Sequence, residues 1–369
     1  MRVALAIQHY PPYLGGAECQ ARDLARALAA RAHQVEVAST RWSKALPRQE
    51  VTSGVAVWRL PVAGPRWLRY PSAFLAGLRA GWRLGGRVDV LHAHCLSAFA
   101  LGAVLAARRR GVPCLLKLCS TGACGDLARL RRPWLLGLPE RILRHVERLV
   151  VPSLVVADEL AAAGVPASRT LVLPSIFNVP ANPRRAMHPP RRALYVGRLH
   201  EGKGLRTLME AWPAVVGRGL QLVLVGDGPL HDELAAWARS PAVAGSVELA
   251  GYRADPTVYY RGADLFLFPS RSESFGNVIV EAMLHGLPVL TTAVGVVAEW
   301  SAEAPVYRLP ADDVGAWRSA LQAAAAGALD PGLGESARRF ACRHYAQEPV
   351  LAGLERVYRD LVEARGLSS

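Results

Sequence analysis

The sequence predicts an α/β fold made of two Rossmann-like, doubly wound parallel-sheet domains. Three observations lead there. A chain of 369 residues suits two domains at roughly 150 residues each. Short apolar strands alternate with amphipathic helices in both halves. Between the halves, residues 174–193 (PSIFNVPANPRRAMHPPRRA) hold five prolines and no periodic pattern, which marks a linker.

In the first half, Arg2–Ile7 is an apolar run followed by a loop with Pro11, Pro12, Gly15 and Gly16. A helix comes next, with Ala17, Ala21, Leu24, Ala25 and Leu28 on one face. Strands are predicted at Gln34–Ser39, Val55–Arg59, Val88–His94, Cys114–Leu118 and Leu149–Pro152, and a helix from Ser97 to about Arg109. The second half restarts the alternation. Strands fall at Leu194–Val196, Leu220–Val225, Val247–Ala250, Leu265–Phe268 and Val289–Thr292, and helices at Leu205–Val216, Leu230–Arg239 and Asn277–His285. Apolar residues at 350, 351, 354, 357, 358, 361 and 362 form a closing helical stripe. The expected domains are therefore 1–180 and 181–345, with 346–369 as a C-terminal helix. Ligands of such sheets bind at the carboxyl ends of strands, so an active site is expected in a cleft between the domains.

Composition narrows the function classes. The longest nearly apolar run, Leu96–Ala107, has 12 residues, against about 20 for a bilayer-spanning helix. Residues 3–7 (VALAI) are too short for a signal-peptide core. A cytoplasmic location is the expectation. The cysteines at 19, 95, 114, 119, 124 and 342 include no C-x-x-C pair, so neither a zinc site nor a redox motif is implied. Charge is uneven. Residues 1–180 carry 24 basic and 10 acidic side chains, and residues 181–369 carry 20 of each. The whole excess of +14 sits in the first half, which should attract something anionic.

Four groups of residues fall at predicted strand ends. Gly197-Arg198-Leu199-His200-Glu201-Gly202-Lys203-Gly204 runs from a strand into a helix, placing two cations beside a helix N-terminus that already favours anions. Gly226-Asp227-Gly228-Pro229 ends the next strand and, taken alone, reads more readily as a tight turn than as a binding loop. Pro269-Ser270-Arg271-Ser272-Glu273-Ser274-Phe275-Gly276-Asn277 leads into a helix carrying Glu281. There, backbone N–H groups can take phosphate oxygens and the two glutamates can accept sugar or ribose hydroxyls. In the first half, Gly15 and Gly16 let backbone approach a ligand closely. His92 and His94 share one face of a strand, with His94 nearer its carboxyl end. Lys117, one of only three lysines, and Thr121 follow another strand and are candidate acceptor or phosphate contacts.

Together these stretches resemble glycosyltransferase family 4, which has the GT-B fold. The matches are Tyr13-Leu14-Gly15-Gly16-Ala17-Glu18, Asp89-Val90-Leu91-His92-Ala93-His94, Gly197-Arg198 with Lys203-Gly204, Gly226-Asp227-Gly228-Pro229, and Glu273-Ser274-Phe275-Gly276 with Glu281. The resemblance implies a retaining hexosyltransferase that uses a nucleotide-diphosphate sugar and no metal or other cofactor. Carried over by position, Arg198 and Lys203 neutralise the departing diphosphate, helped by the amides of Gly16 and of Ser274, Phe275, Gly276 and Asn277. Glu281 holds the ribose, Glu273 the donor sugar, and His94 lies near the reacting carbon. Gly197, Gly226 and Tyr252 complete the donor side, and His94, Lys117 and Thr121 the acceptor side. The absence of a D-x-D triplet agrees with cationic side chains taking the part a metal plays elsewhere. The resemblance also implies that the first domain meets the acceptor and that the final helix crosses back to it. Two positions depart from the pattern: Pro174-Ser175-Ile176-Phe177-Asn178 stands where P-N-G-V-D is frequent, and Val296 where a second glycine often follows Gly295.

Basic and aromatic residues mix in the first half, at Arg41-Trp42 with Lys44, at Arg66, Trp67, Arg69 and Tyr70, and at Arg129, Arg131, Arg132 and Trp134. That mixture suits an anionic membrane surface. It points to a peripheral enzyme with a lipid-linked saccharide or cell-envelope polysaccharide precursor as acceptor. Solvated arginines over an inward-packed Ile142, Leu143, Val146 and Leu149 are the plainer reading. A small soluble acceptor and a nucleotide-sugar epimerase are the alternatives. Nucleic acid is not expected, because no helix-turn-helix or RRM signature accompanies the charge. A nicotinamide enzyme is excluded, because neither half opens with G-x-G-x-x-G.

Overall fold

The computed structural model describes residues 1–12, 15–65, 67–119, 125–126, 138–181 and 186–366. Thr121, Tyr13-Leu14 and the basic stretch 129–134 lie outside them. The chain divides into two compact units, one of Met1–Ile176 with Glu348–Ser369 and one of Phe177–Gln347.

The first unit holds strands β1 (Arg2–Ile7), β2 (Gln34–Arg41), β3 (Gln49–Thr52), β4 (Val55–Pro61), β5 (Val90–His94), β6 (Cys114–Lys117), β7 (Arg148–Val151) and β8 (Thr170–Val172). Their order is β3-β4-β2-β1-β5-β6-β7-β8, parallel throughout except for the antiparallel edge pair of β3 and β4. β1 is buried from Val3 to Ile7, as a strand covered by helices on both faces must be. The helix Gly16–Ala30 covers one face. On the other, Arg69–Leu84 packs against Ala98–Arg109 through Gly77, Gly81 and Gly102. A Cβ on Gly77 would stand 2.1 Å from the Phe99 carbonyl oxygen, so the helices approach by their backbones. The C-terminal helix Gln347–Gly366 seats Val350, Leu351, Leu354, Tyr358 and Leu361 in the core of this unit, beside Val3, Leu5 and Leu24. Its Glu355 is buried and accepts from Arg31 Nε at 2.7 Å, a pairing that the apolar stripe does not reveal.

The second unit holds β9 (Arg192–Val196), β10 (Gln221–Val225), β11 (Val247–Gly251), β12 (Leu265–Phe268), β13 (Val289–Thr291) and β14 (Tyr307–Arg308). All are parallel, in the order β11-β10-β9-β12-β13-β14. The chain winds outward from β9 to β11, returns, and winds outward again from β12. Strand order therefore reverses between β9 and β12, and that is where ligands of such sheets bind. The helix expected over Leu205–Val216 stops at Ala211 and finishes as a 3₁₀ turn at Trp212–Val215, because Pro213 has no N–H to continue the α-helical ladder.

Candidate active site

The loops that follow β9 and β12 meet at this switch point. Gly204 makes the approach possible. Its φ of +65° is one that side chains disfavour, and a Cβ there would lie 1.9 Å from the Pro269 carbonyl oxygen. Two further bonds tie the loops together: Arg271 N–H donates to the Gly202 carbonyl at 2.9 Å, and Ser270 Oγ donates to the same carbonyl at 3.3 Å. The loop after β10 joins from the other side. The Leu199 amide donates to the Asp227 carbonyl at 2.9 Å. At Gly226 a Cβ would sit 1.9 Å from the Gly197 carbonyl oxygen.

This backbone sets Lys203 Nζ 2.5 Å from Glu273 Oε1. Both side chains are mostly buried, at 24% and 14% exposure, so the pair is better shielded than a surface ion pair. Ser270 Oγ stands 3.0 Å from the same carboxylate oxygen, a partner that the sequence motif did not single out. The resemblance assigns Lys203 to the diphosphate and Glu273 to the donor sugar, and in the structure the two side chains form an ion pair. Arg198 is exposed, and its guanidinium makes no hydrogen bond or ion pair among the described residues. Its own carbonyl is held by Tyr195 O–H at 3.0 Å.

Gly276, at φ +96°, starts the helix Asn277–Leu284, and no side chain caps it. Phe275 is buried and stacks on Phe177 at 6.0 Å. Glu281, one turn into the helix, accepts from Tyr260 O–H at 2.8 Å. Gly295 is also close-packed: a Cβ would stand 2.4 Å from the Phe275 carbonyl oxygen, and the Val296 amide donates to that carbonyl at 2.9 Å. Val296 thus braces the loop through its backbone. Tyr252, after β11, is 51% exposed.

The candidates of the first unit gather at the ends of its own strands. Register places Ile7, His94, Lys117 and Val150 side by side at the ends of β1, β5, β6 and β7. His94 is 1% exposed, and its ring lies 4.4 Å from that of His92. His92 Nδ1 lies 2.7 Å from the Tyr358 hydroxyl. Burial pushes His92 down to about 3, and His94 also well below the ordinary imidazole value, so both rings are neutral at pH 7. Burial also lowers Lys117, whose ammonium has no carboxylate partner among the described residues. Lys117, His92 and Gln20 line a small cavity with Leu173, Val350 and Leu354; its free space is about 20 Å³, roughly one water. Gly15 caps the helix Gly16–Ala30 with extended backbone, and the Glu18 side chain folds over it, so a Cβ on Gly15 would meet Glu18 Oε2 at 2.4 Å. Among the described residues, no three His, Cys, Asp or Glu side chains are grouped as a metal site requires.

Comparison with known proteins agrees with this architecture. A glycosyl transferase 4-like domain matches residues 15–175, and the glycosyl transferases group 1 model matches residues 190–326. The D-inositol 3-phosphate glycosyltransferase of Actinosynnema mirum is 33% identical over 341 residues, covering 80% of this chain and 81% of that one. Among solved structures, sucrose-phosphate synthase from Thermosynechococcus elongatus superposes with a TM-score of 0.79 at 22% identity, covering 99% of this chain and 100% of the other. Anabaena HepE in complex with UDP-glucose gives 0.75 at 18% identity, covering 97% and 99%. The two structures speak for the fold; the family models and the Actinosynnema relative carry the kinship further. This chain belongs to the GT4-type glycosyltransferases of the GT-B fold.

Proposed function

We propose that the enzyme is a retaining, metal-independent hexosyltransferase that moves a sugar from a nucleotide-diphosphate sugar to an acceptor hydroxyl. The observation that carries this reading is the Lys203–Glu273 pair, with Arg198 close by in sequence, at the β9–β12 strand-order reversal. A diphosphate leaving group gains negative charge as the glycosidic bond breaks. Two cations and an uncapped helix start are suited to receive it. Lys203 then exchanges its contact with Glu273 for a phosphate oxygen, and the carboxylate is released to the hydroxyls of the donor sugar. Glu281 takes the ribose. UDP-glucose bound to the structurally similar HepE supports a donor of this chemical class.

In the front-face route, the acceptor oxygen bonds to the anomeric carbon from the side the diphosphate leaves. The carbon–oxygen bond to the β-phosphate breaks, and that phosphate oxygen takes the acceptor's proton. Configuration is kept. His94 and Lys117, with Thr121, are assigned to the acceptor side.

For the acceptor we favour a lipid-linked saccharide or another cell-surface glycan precursor reached from an anionic membrane. Residues 51–88 carry six arginines and no acid, Trp67, Leu75 and Trp82 are 74%, 54% and 58% exposed, and the Arg110 guanidinium lies 4.9 Å from the Trp82 ring. Ile142, Leu143, Val146 and Leu149 are buried and add nothing to that surface. No described helix is long and apolar enough to cross a membrane, so attachment would be peripheral. A small soluble acceptor is the second reading, favoured by the name of the Actinosynnema relative.

The test is a panel of UDP-, GDP-, ADP- and TDP-sugars, read by thermal shift and turnover with EDTA present, followed by NMR of the product's anomeric centre. A retained configuration without metal supports the proposal. Inversion, or turnover abolished by EDTA and restored by a divalent ion, overturns it.

A further inference from the structure

We propose that Tyr260 is a positioning residue for the donor: its hydroxyl holds the Glu281 carboxylate in the orientation that accepts the ribose hydroxyls of the nucleotide. This rests on the ribose role given to Glu281 above.

Tyr260 lies on the short helix Thr257–Gly262, and its side chain is almost wholly buried, at 2% exposure. Its O–H donates to Glu281 Oε2 at 2.8 Å; the Val278 carbonyl, at 3.5 Å, is a poorer acceptor. Burial and the neighbouring carboxylate push the phenol well above its ordinary range, so it remains a donor at any working pH. The ring cannot swing aside. His285 stacks on it at 5.0 Å with 21° between the planes, and Phe266 packs at 5.9 Å. His285 is fixed in turn: its Nδ1 lies 2.9 Å from the Glu281 carbonyl oxygen, which can only accept, so that nitrogen carries the proton. Burial lowers the His285 pKa, so the ring is neutral and sets no positive charge against the carboxylate. The last residues of the Glu281 helix thus clamp the aromatic ring that orients its own glutamate. A carboxylate whose rotamer is fixed in this way before the ligand arrives has already lost the side-chain entropy that a mobile glutamate gives up on binding.

The experiment uses the full chain, with the nucleoside diphosphate selected by the four-sugar panel and its 2′,3′-dideoxy analogue as ligands. Tyr260→Phe keeps the ring stack and removes only the hydroxyl. We expect Kd for the ribose ligand and KM for the donor to rise about 10-fold, the size of one hydrogen bond to a charged group, with kcat within about 2-fold. Affinity for the dideoxy analogue should not change. In a Glu281→Gln background, Tyr260→Phe should add little, because the charged acceptor is already gone. A parallel loss for both ligands marks Tyr260 as merely structural and overturns the proposal. Normal donor affinity in Tyr260→Phe with weakened affinity in Glu281→Gln also overturns it, and leaves the ribose role intact. If Glu281→Gln itself binds normally, the ribose role fails first. Should Tyr260→Phe fold poorly, 4-fluorophenylalanine in place of Tyr260 supplies the same comparison: it fills the space of the hydroxyl without donating, and only the ribose ligand should lose affinity.

Discussion

Gly204→Ala tests the joint between the two loops. At φ +65° an alanine costs about 1–2 kcal/mol in backbone conformation alone. The added methyl also falls 1.9 Å from the Pro269 carbonyl oxygen, 1.1 Å inside the 3.0 Å that such contacts keep. The β12 loop must back away by about that amount, and overpacking of this kind costs a further 1–3 kcal/mol or so. We expect about 3 kcal/mol in total, which lowers the Tm of a unit this size by roughly 6–12 °C. Retreat of the loop also parts Lys203 from Glu273. A misplacement near 1 Å reduces turnover by up to about 100-fold, so donor KM should rise and kcat should fall together. Gly217→Ala is the control: its φ is +79° and nothing lies within 4 Å of the added methyl, so it carries the backbone cost without the clash. Scanning calorimetry and steady-state kinetics on both variants decide the matter. If Gly204→Ala melts within about 2 °C of Gly217→Ala and turns over normally, the joint is not what holds the site.

Three further outcomes are expected. Tyr358→Phe removes the hydroxyl at His92 Nδ1 in a fully buried position, so chemical denaturation should show a loss of about 1–2 kcal/mol with donor Kd unchanged. His92 and His94 are neutral in the fold and titrate near 6.5 when unfolded. The unfolded state therefore binds more protons at acid pH, and stability is lost as pH falls below 6.5, down to about 3 in the case of His92. Each histidine contributes up to about 1.4 kcal/mol per pH unit there, and urea midpoints of wild type and His94→Asn should converge as the pH drops. Finally, flotation with anionic vesicles at low salt should carry the wild type upward, and Leu75→Ala with Trp82→Ala should reduce that fraction severalfold; equal recovery with neutral vesicles removes the membrane reading.

Much of the fold was legible because parallel strands buried on both faces read as short apolar runs. Arg2–Ile7 and Leu265–Phe268 match the predicted bounds residue for residue. The edge strands Gln49–Thr52 and Tyr307–Arg308 went unpredicted, because an edge strand needs few apolar residues and theirs face solvent. Helix Arg69–Leu84 was missed for a related reason. It buries alanines and glycines and leaves Leu75 and Trp82 exposed, which blurs the usual apolar stripe.

Site residues were legible where loop chemistry repeats at strand ends, as in Gly197–Gly204 and Pro269–Asn277. Their partners were not. Ser270, Tyr260 and Tyr358 act on residues near or far in sequence through bonds that only the folded chain assembles, and nothing in their local spacing distinguishes them from packing residues. The buried Glu355, facing Arg31 and His33, sits one position beyond an apolar stripe and resembles a surface acid until α-helical geometry is combined with the neighbouring elements.

Binding calorimetry of the donor's nucleoside diphosphate, on wild type, Arg198→Ala and Lys203→Ala with EDTA present, tests the diphosphate role most directly. We expect each variant to weaken Kd by at least about 10-fold and the wild-type affinity to fall as salt is raised. Unchanged affinity in both variants would contradict it.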